Sequence, residues 1–158
     1  MNNTKSSEFH ELLLHAERFC AYRERCTFEV RQKMKELGAD ANKTEKVIAS
    51  LSNDDYLNDE RFAHLFVSGK FRIKRWGKNK IKAELRMKNI SDSLISKGLS
   101  AIDDLEYEKT IHHLIKKKEK EVKSNDLKIK IQKIGMYLLS KGYESNLIWE
   151  QIKLLIRK

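Results

Sequence analysis

The strongest chemical signal in the chain is a run of cations. Lys70, Arg72, Lys74, Arg75, Lys78, Lys80, Lys82, Arg86 and Lys88 place nine positive side chains within nineteen residues, and Glu84 alone opposes them. Lysine and arginine at such density neutralise phosphates or carboxylates on a partner and release the counterions held there. Lys78, Lys82 and Arg86 recur every four residues, so on a helix they form one stripe beside the apolar pair Ile81 and Leu85. Like charges at that spacing repel by roughly 0.2–0.5 kcal/mol per pair, and nothing local compensates them. The nine residues are therefore the candidate partner- or DNA-binding surface. Trp76 stands among them, between Arg75 and Gly77. It reads either as an aromatic packed at a turn between two helices or as an anchor for a partner.

Other reactive groups lack the company that chemistry requires. Asp54, Asp55, Asp59 and Glu60 form an acidic cluster. A nuclease would need such carboxylates to converge on a metal, and here Asp59 and Glu60 are expected to serve the start of a helix. Cys20 and Cys26 are six residues apart with no ligand-spaced partner, which suits two buried thiols rather than a disulfide or a metal site. His112 and His113 are adjacent, so on a helix they point about 100° apart and are expected at the surface or its boundary. No phosphate-binding glycine loop, nucleophile elbow or zinc pattern occurs. The chain is read as a non-enzyme that needs no cofactor and no metal.

The elements that position the cations follow from an internal repeat. Gly38, Asn89 and Gly142 are spaced 51 and 53 residues apart. Eight positions before them stand Val30, Ile81 and Ile134, and four before them Met34, Leu85 and Leu138. Ten after them come Ile48, Leu99 and Ile152, and thirteen after them Leu51, Ile102 and Leu155. Steps of four and three trace a helix face turned to a core. The Gly/Asn/Gly position suits a left-handed cap, where a Cβ is costly and asparagine is the tolerated exception.

A further helix precedes each pair, over residues 11–24, 58–75 and 104–123. In the second of these Asn58 is the N-cap, Leu57 and Phe62 are placed as a hydrophobic staple, and Phe62, Leu65, Phe66, Gly69 and Ile73 are expected to share one face. The fold expected is all-α: three tandem three-helix repeats over residues 11–53, 54–103 and 104–158, forming an elongated, curved array after a disordered segment 1–10. The absence of proline and the presence of only six glycines agree with helices on short turns.

Charge divides along the same lines. Residues 1–60 carry nine positive and twelve negative side chains, residues 61–90 ten and one, and residues 91–158 fourteen and ten. The middle of the chain, residues 61–90, holds nearly all of the formal excess of +10. Lys116, Lys117 and Lys118 run into Glu119, Lys120 and Glu121, a mixture of signs expected on a solvated face. The polar opening from Met1 to Glu8 is no signal peptide, and no apolar run approaches the ~18 residues of a membrane span. A cytoplasmic monomer without membrane contact is expected.

The segment Tyr56-Leu57-Asn58-Asp59-Glu60-Arg61-Phe62-Ala63 resembles the opening of the second repeat of RecX proteins. The basic stretch after it, Trp76-Gly77, then Lys80-Ile81 and Glu84-Leu85 running to Lys88-Asn89-Ile90, continues the resemblance. Arg25-Cys26 and Glu29-Val30 stand where that family has Arg-Ser and Glu-Leu, and Lys141-Gly142-Tyr143 matches its Lys-Gly-aromatic turn. Asn89 departs from the family's glycine, and Ala39 from the bulkier residue that Ile90 and Tyr143 supply. The resemblance spans roughly residues 12–157. It implies a helical modulator lying along the RecA recombinase filament, with DNA contacted within it, that suppresses ATP hydrolysis and strand exchange in recombination, DNA repair and the SOS response. Composition and spacing alone imply a basic helical repeat protein. They leave open a stand-alone nucleic-acid-binding protein of helix-turn-helix-like repeats, with Asn79 and Arg86 as candidate base readers.

Overall fold

The computed structural model describes residues 2–156; Met1 and residues 157–158, the ends of the expected N-terminal segment and third repeat, lie outside the described residues. Among the described residues the chain forms nine helices and no strand: α1 (Asn2–Tyr22), α2 (Thr27–Glu36), α3 (Ala41–Asn53), α4 (Asp59–Arg72), α5 (Lys78–Met87), α6 (Asp92–Ser100), α7 (Asp104–Glu121), α8 (Leu127–Ser140) and α9 (Ser145–Leu155). Packing is mutual within α1–α3, within α4–α6 and within α7–α9, so the repeat is the packing unit. None of the described helices is long and apolar enough to cross a membrane.

One local device is used three times. Gly38, Asn89 and Gly142 all take positive φ, at 80°, 56° and 96°. After each, the next N–H reaches five residues back: Ala39 to the Met34 carbonyl, Ile90 to Leu85 and Tyr143 to Leu138, at 3.0–3.2 Å. That is the Schellman closure of a helix, and its apolar residue beyond the cap turns inward. Ile90 and Tyr143 are buried, whereas the smaller Ala39 is only half-buried. In the first two repeats the helix that follows is started by a side-chain cap: Asp40 accepts from the Lys43 N–H at 2.8 Å and Ser91 from the Leu94 N–H at 3.3 Å.

Of the twelve register positions, all but Leu99 and Leu155 are buried, and those two are half-buried. The register also has a member six residues after the cap, Thr44, Ile95 and Ile148, buried in all three repeats.

Two expectations are corrected. Residues 2–10, the described part of the segment expected to be disordered, are helical, because α1 begins at Asn2. Glu8 reaches Lys43 of α3 at 2.7 Å and Phe9 packs against the first core, so tertiary contacts hold these turns in a helix. The α4 face is rotated from that expected: Phe62, Ala63, Val67 and Phe71 are buried, while Leu65 and Ile73 are 55% and 79% exposed. The cause is a close approach to α6, where a Cβ on Gly98 would lie 3.1 Å from Val67 and 3.4 Å from the Ala63 carbonyl oxygen.

The apolar interior falls into two bodies. Ala16, Cys20, Val30, Met34, Val47, Ile48, Leu51 and Leu57 form the core of the first repeat. A continuous second core runs through both remaining repeats and includes Cys26 from the start of α2. Leu57 and Phe62 belong to different cores, so they join the repeats instead of stapling one helix. The chain exposes 10298 Å², against about 8200 Å² for a compact 18.6 kDa globule, as a tandem array should.

Candidate functional site

The second repeat carries its cations on two flanks of α5, separated by the buried pair Ile81 and Leu85. At 100° per residue Lys78, Lys82 and Arg86 fall on one side of that pair, and Lys80, Glu84 and Lys88 on the other. The first flank borders α6, and with Asp92, Ser96 and Leu99 it lines a shallow groove. Arg86 reaches Asp92 there at 3.1 Å. The Lys78 ammonium lies 4.7 Å from the centre of the Tyr107 ring, and the Lys78 N–H donates to the Tyr107 hydroxyl at 3.0 Å. The second flank points to the neighbouring repeats, with Lys88 at 3.8 Å from Glu29 of α2 and Lys80 against the α8–α9 turn. The nine cations therefore do not form one stripe.

The turn between α4 and α5 sets the remaining ones. Arg75 takes positive φ at 57°, and the Trp76 N–H returns to the Lys70 carbonyl at 3.0 Å. The next peptide leaves the repeat. Gly77 N–H donates to the Lys141 carbonyl at 2.8 Å and Asn79 N–H to the Gly142 carbonyl at 2.9 Å. The two turns touch backbone to backbone, because a Cβ on Gly77 would sit well under 3.0 Å from Gly142 and Tyr143. Tyr143 completes the joint by donating its hydroxyl to the Arg75 carbonyl at 2.9 Å, and Lys141 donates its ammonium to the Lys74 carbonyl at 3.1 Å. Beneath the joint Phe71, Tyr107 and Tyr143 pack ring to ring at 5.8 and 5.3 Å, and Tyr107 donates its hydroxyl to Glu144.

Trp76 is half-buried against the second core. Lys70 and Lys80 hold their ammonium groups 4.8 and 4.5 Å from its ring centre. The indole thus fixes two lysines as well as packing at the turn. Arg72 lies 3.8 Å from Glu106, an exposed pair of little energetic weight. Lys70, Lys74, Arg75, Lys78, Lys80 and Lys82 have no carboxylate within ion-pair distance among the described residues.

Sequence reasoning missed the third repeat's share of this surface. Burial, and then the charges of Lys80, Lys117, Lys74 and Arg75, hold the Lys141 ammonium below the usual lysine range. Lys116 and Lys117 are exposed, as expected of a solvated face, and the charge of Lys117 also bears on Lys141. The neighbours of Lys117 pair locally, Lys116 with Glu119 at 3.5 Å and Lys118 with Glu121 at 3.8 Å. The signal available was the Lys-Gly-aromatic turn at Lys141, whose spatial partner no spacing reveals.

The acidic cluster is structural. Asp59 accepts from the Thr27 N–H at 2.8 Å and the Thr27 hydroxyl at 3.1 Å, capping α2 from the next repeat. Arg61 pairs with Glu24 at 2.9 Å and Asp55 at 3.2 Å, and Glu60 with Lys97 at 2.9 Å. Burial raises Glu29, but Arg23, the Cys26 N–H and Lys88 outweigh it and hold the carboxyl below its usual range. Cys20 and Cys26 are buried free thiols pushed up by burial to about 11. His113 is exposed, whereas His112 is partly covered and bonds Gln151 of α9.

Residues 14–51 match the family model for the first three-helix domain of RecX, and residues 58–99 that for its second. The regulatory protein RecX of Clostridium tetani is 35% identical over 132 residues, covering 82% of this chain and 58% of that protein. The one from Clostridium perfringens strain 13 is 35% identical over 118 residues, covering 73% and 55%. The chain thus spans little more than half the length of these relatives. The crystal structure of RecX from Lactobacillus salivarius superposes with a TM-score of 0.87 at 23% identity, over 96% of this chain and 98% of that one.

Proposed function

The chain belongs to the RecX family of regulatory proteins, and on that premise we propose that it binds the RecA–DNA filament and lowers its ATPase and strand exchange. The observation that carries this reading is the charge of the second repeat, where six of the nine cations lack a carboxylate partner among the described residues. An extended chain with ten cations against one carboxylate over residues 61–90 fits a long polyanionic surface better than a compact ligand. The mechanism is occupancy: the array lies along the filament groove in the cytoplasm, bridges neighbouring protomers, and hinders the motions that couple ATP turnover to DNA exchange. The chain acts as a monomer and contributes no catalytic group and no cofactor. Trp76 holds Lys70 and Lys80 in place on the docking face.

The rival, base-specific readout of free DNA by helix-turn-helix-like repeats, finds less support. Arg86 is paired with Asp92, and Asn79 is anchored by its backbone N–H to the turn of the third repeat, so the helix that carries both is held against its neighbours. The test is RecA ATP hydrolysis on single-stranded DNA, titrated with this protein below the RecA concentration. Inhibition is expected, and Lys78→Glu, Lys82→Glu and Arg86→Glu together should abolish it. Lys116–Lys118 cannot serve as the neutral control, given the reach of Lys117 to the joint. Exposed Lys35, Lys46 and Lys128, reversed together, change charge equally elsewhere. Unchanged ATPase across the titration would overturn the regulator reading, and equal loss in the control would reduce the docking face to net charge.

A further inference from the structure

We propose that the joint between the second and third repeats is a phosphate-binding cradle for a nucleic-acid strand, built from Lys74, Arg75 and Lys80 of one repeat and Lys117 and Lys141 of the other. It rests on the reading of the second repeat as a docking surface, and it specifies both the chemistry bound and a second repeat that supplies it.

Two backbone hydrogen bonds, Gly77 to Lys141 and Asn79 to Gly142, lock the two turns together, so the side chains around them cannot drift apart. The Lys141 ammonium is tied at 3.1 Å to the Lys74 carbonyl, and the Arg75 carbonyl at 2.9 Å to Tyr143. None of the five cations meets a carboxylate within ion-pair distance among the described residues; Glu144, beside the joint, is taken by the Tyr107 hydroxyl. Two aromatic rings steady the margins. Lys80 lies over Trp76, and Lys141 and Lys118 lie 6.0 and 4.7 Å from the centre of the Tyr137 ring. Lys141 already feels the other four as a field that disfavours its own charge. A rigid cluster of one sign without internal neutralisation is stabilised by an external anion.

A nucleic-acid strand is the anion that fits. It carries one charge per ~3.4 Å, and closely set cations without interspersed carboxylates match that density. An acidic protein surface suits the other flank of α5 better, where Arg86 already faces Asp92.

The test uses the full chain and a fluorescent 20-nucleotide single strand, read by anisotropy over a range of salt. Lys74→Gln with Lys117→Gln removes two exposed charges and should preserve helicity. At 0.1 M salt the loss of two phosphate contacts predicts roughly 20-fold weaker binding and a log–log salt slope shallower by about 1.4. Lys78→Gln with Lys82→Gln removes the same charge from the other flank and should lose far less. Lys117→Gln alone, with about a 5-fold loss, serves if the double variant unfolds. Equal losses on both flanks, no loss in the cradle variant, or equal displacement of the strand by polyglutamate would each overturn the cradle. A wild-type chain that inhibits RecA yet ignores the bare strand would overturn it while leaving the regulator reading intact. A chain that binds the strand through the cradle but leaves RecA unaffected would do the reverse.

Discussion

Three glycine substitutions separate what a left-handed cap costs from what a joint contributes. Gly38 and Gly142 occupy the same cap position in the first and third repeats, with φ of 80° and 96°. A Cβ on Gly38 would meet nothing within 4 Å, whereas one on Gly142 would press into the backbone and Cβ of Lys80. Gly77 has an ordinary extended conformation, φ −77° and ψ 166°, but its Cβ would strike the Gly142 and Tyr143 backbone. Gly38→Ala therefore incurs only the conformational penalty of ~1–2 kcal/mol, offset by ~0.4–1 kcal/mol of lost unfolded-chain entropy, a net of about 1 kcal/mol. Gly77→Ala incurs only the collision. Carbon contacts relax near ~3.5 Å, so the turns must part by about an ångström, with overpacking at ~1–3 kcal/mol and two strained hydrogen bonds at ~1 kcal/mol each. Less the same ~0.4–1 kcal/mol of unfolded-chain entropy, the expected loss is about 2–4.5 kcal/mol, and Gly142→Ala should exceed it. Both tryptophans, Trp76 and Trp149, lie outside the first repeat, so urea unfolding followed by tryptophan fluorescence reads the joined body, while circular dichroism reads the whole chain. If Gly77→Ala proves no more harmful than Gly38→Ala, the two turns do not bear on each other and the joint as described is wrong.

Asp59→Ala should leave the Thr27 N–H without its acceptor, costing about 1–2 kcal/mol at the start of α2. Hydrogen exchange in that turn should quicken by roughly 5–30-fold, and unchanged protection would deny the cap across the repeats. With both thiols pushed to about 11 from an ordinary 9.0, alkylation in the native state at pH 8 should run at least about a hundredfold slower than for an exposed cysteine. The same shift has a sign for stability: the folded state keeps thiol protons that the unfolded state releases, so this contribution is complete below pH 9 and is lost as pH rises towards 11, which urea midpoints at pH 8 and 10.5 would register. Small-angle scattering should give an elongated monomer, and a spherical profile would contradict the surface area found.

What the sequence made legible was whatever repeats locally. The left-handed cap needs a residue type at one position, and the core face needs apolar residues at steps of three and four, so both are written within a single helix pair. What stayed hidden depends on neighbours. The rotation of α4 is set by Gly98, thirty-five residues after Ala63, and periodicity within α4 could not report it. The helicity of residues 2–10 comes from Lys43 and from the core beneath Phe9. The nine cations looked like one patch because linear density ignores that Lys78 and Lys80 leave a helix on opposite sides. Lys117 is exposed as its sequence suggests, but that its charge bears on Lys141 was hidden, because Lys141 is supplied by another helix.

The residues that carry the family resemblance and the residues that carry the proposed docking are largely different sets, for a physical reason. Tyr56–Ala63 forms the first joint: Leu57 seats in the first core, Phe62 in the second, Asp59 caps α2, and Arg61 ties Glu24 to Asp55. Trp76-Gly77 and Lys141-Gly142-Tyr143 are the two halves of the second joint, where only glycine lets the turns meet. Joints demand particular residues, since a displaced hydrogen bond or an added Cβ moves a whole repeat. A phosphate-facing surface asks only for positive charge at a suitable spacing, and lysine or arginine on either of two neighbouring helices will serve. The resemblance therefore identifies the architecture sharply and the binding face only through what the architecture brings together. Lys141 becomes a candidate because the second joint ties it to Lys74, and Lys117 because its charge bears on Lys141.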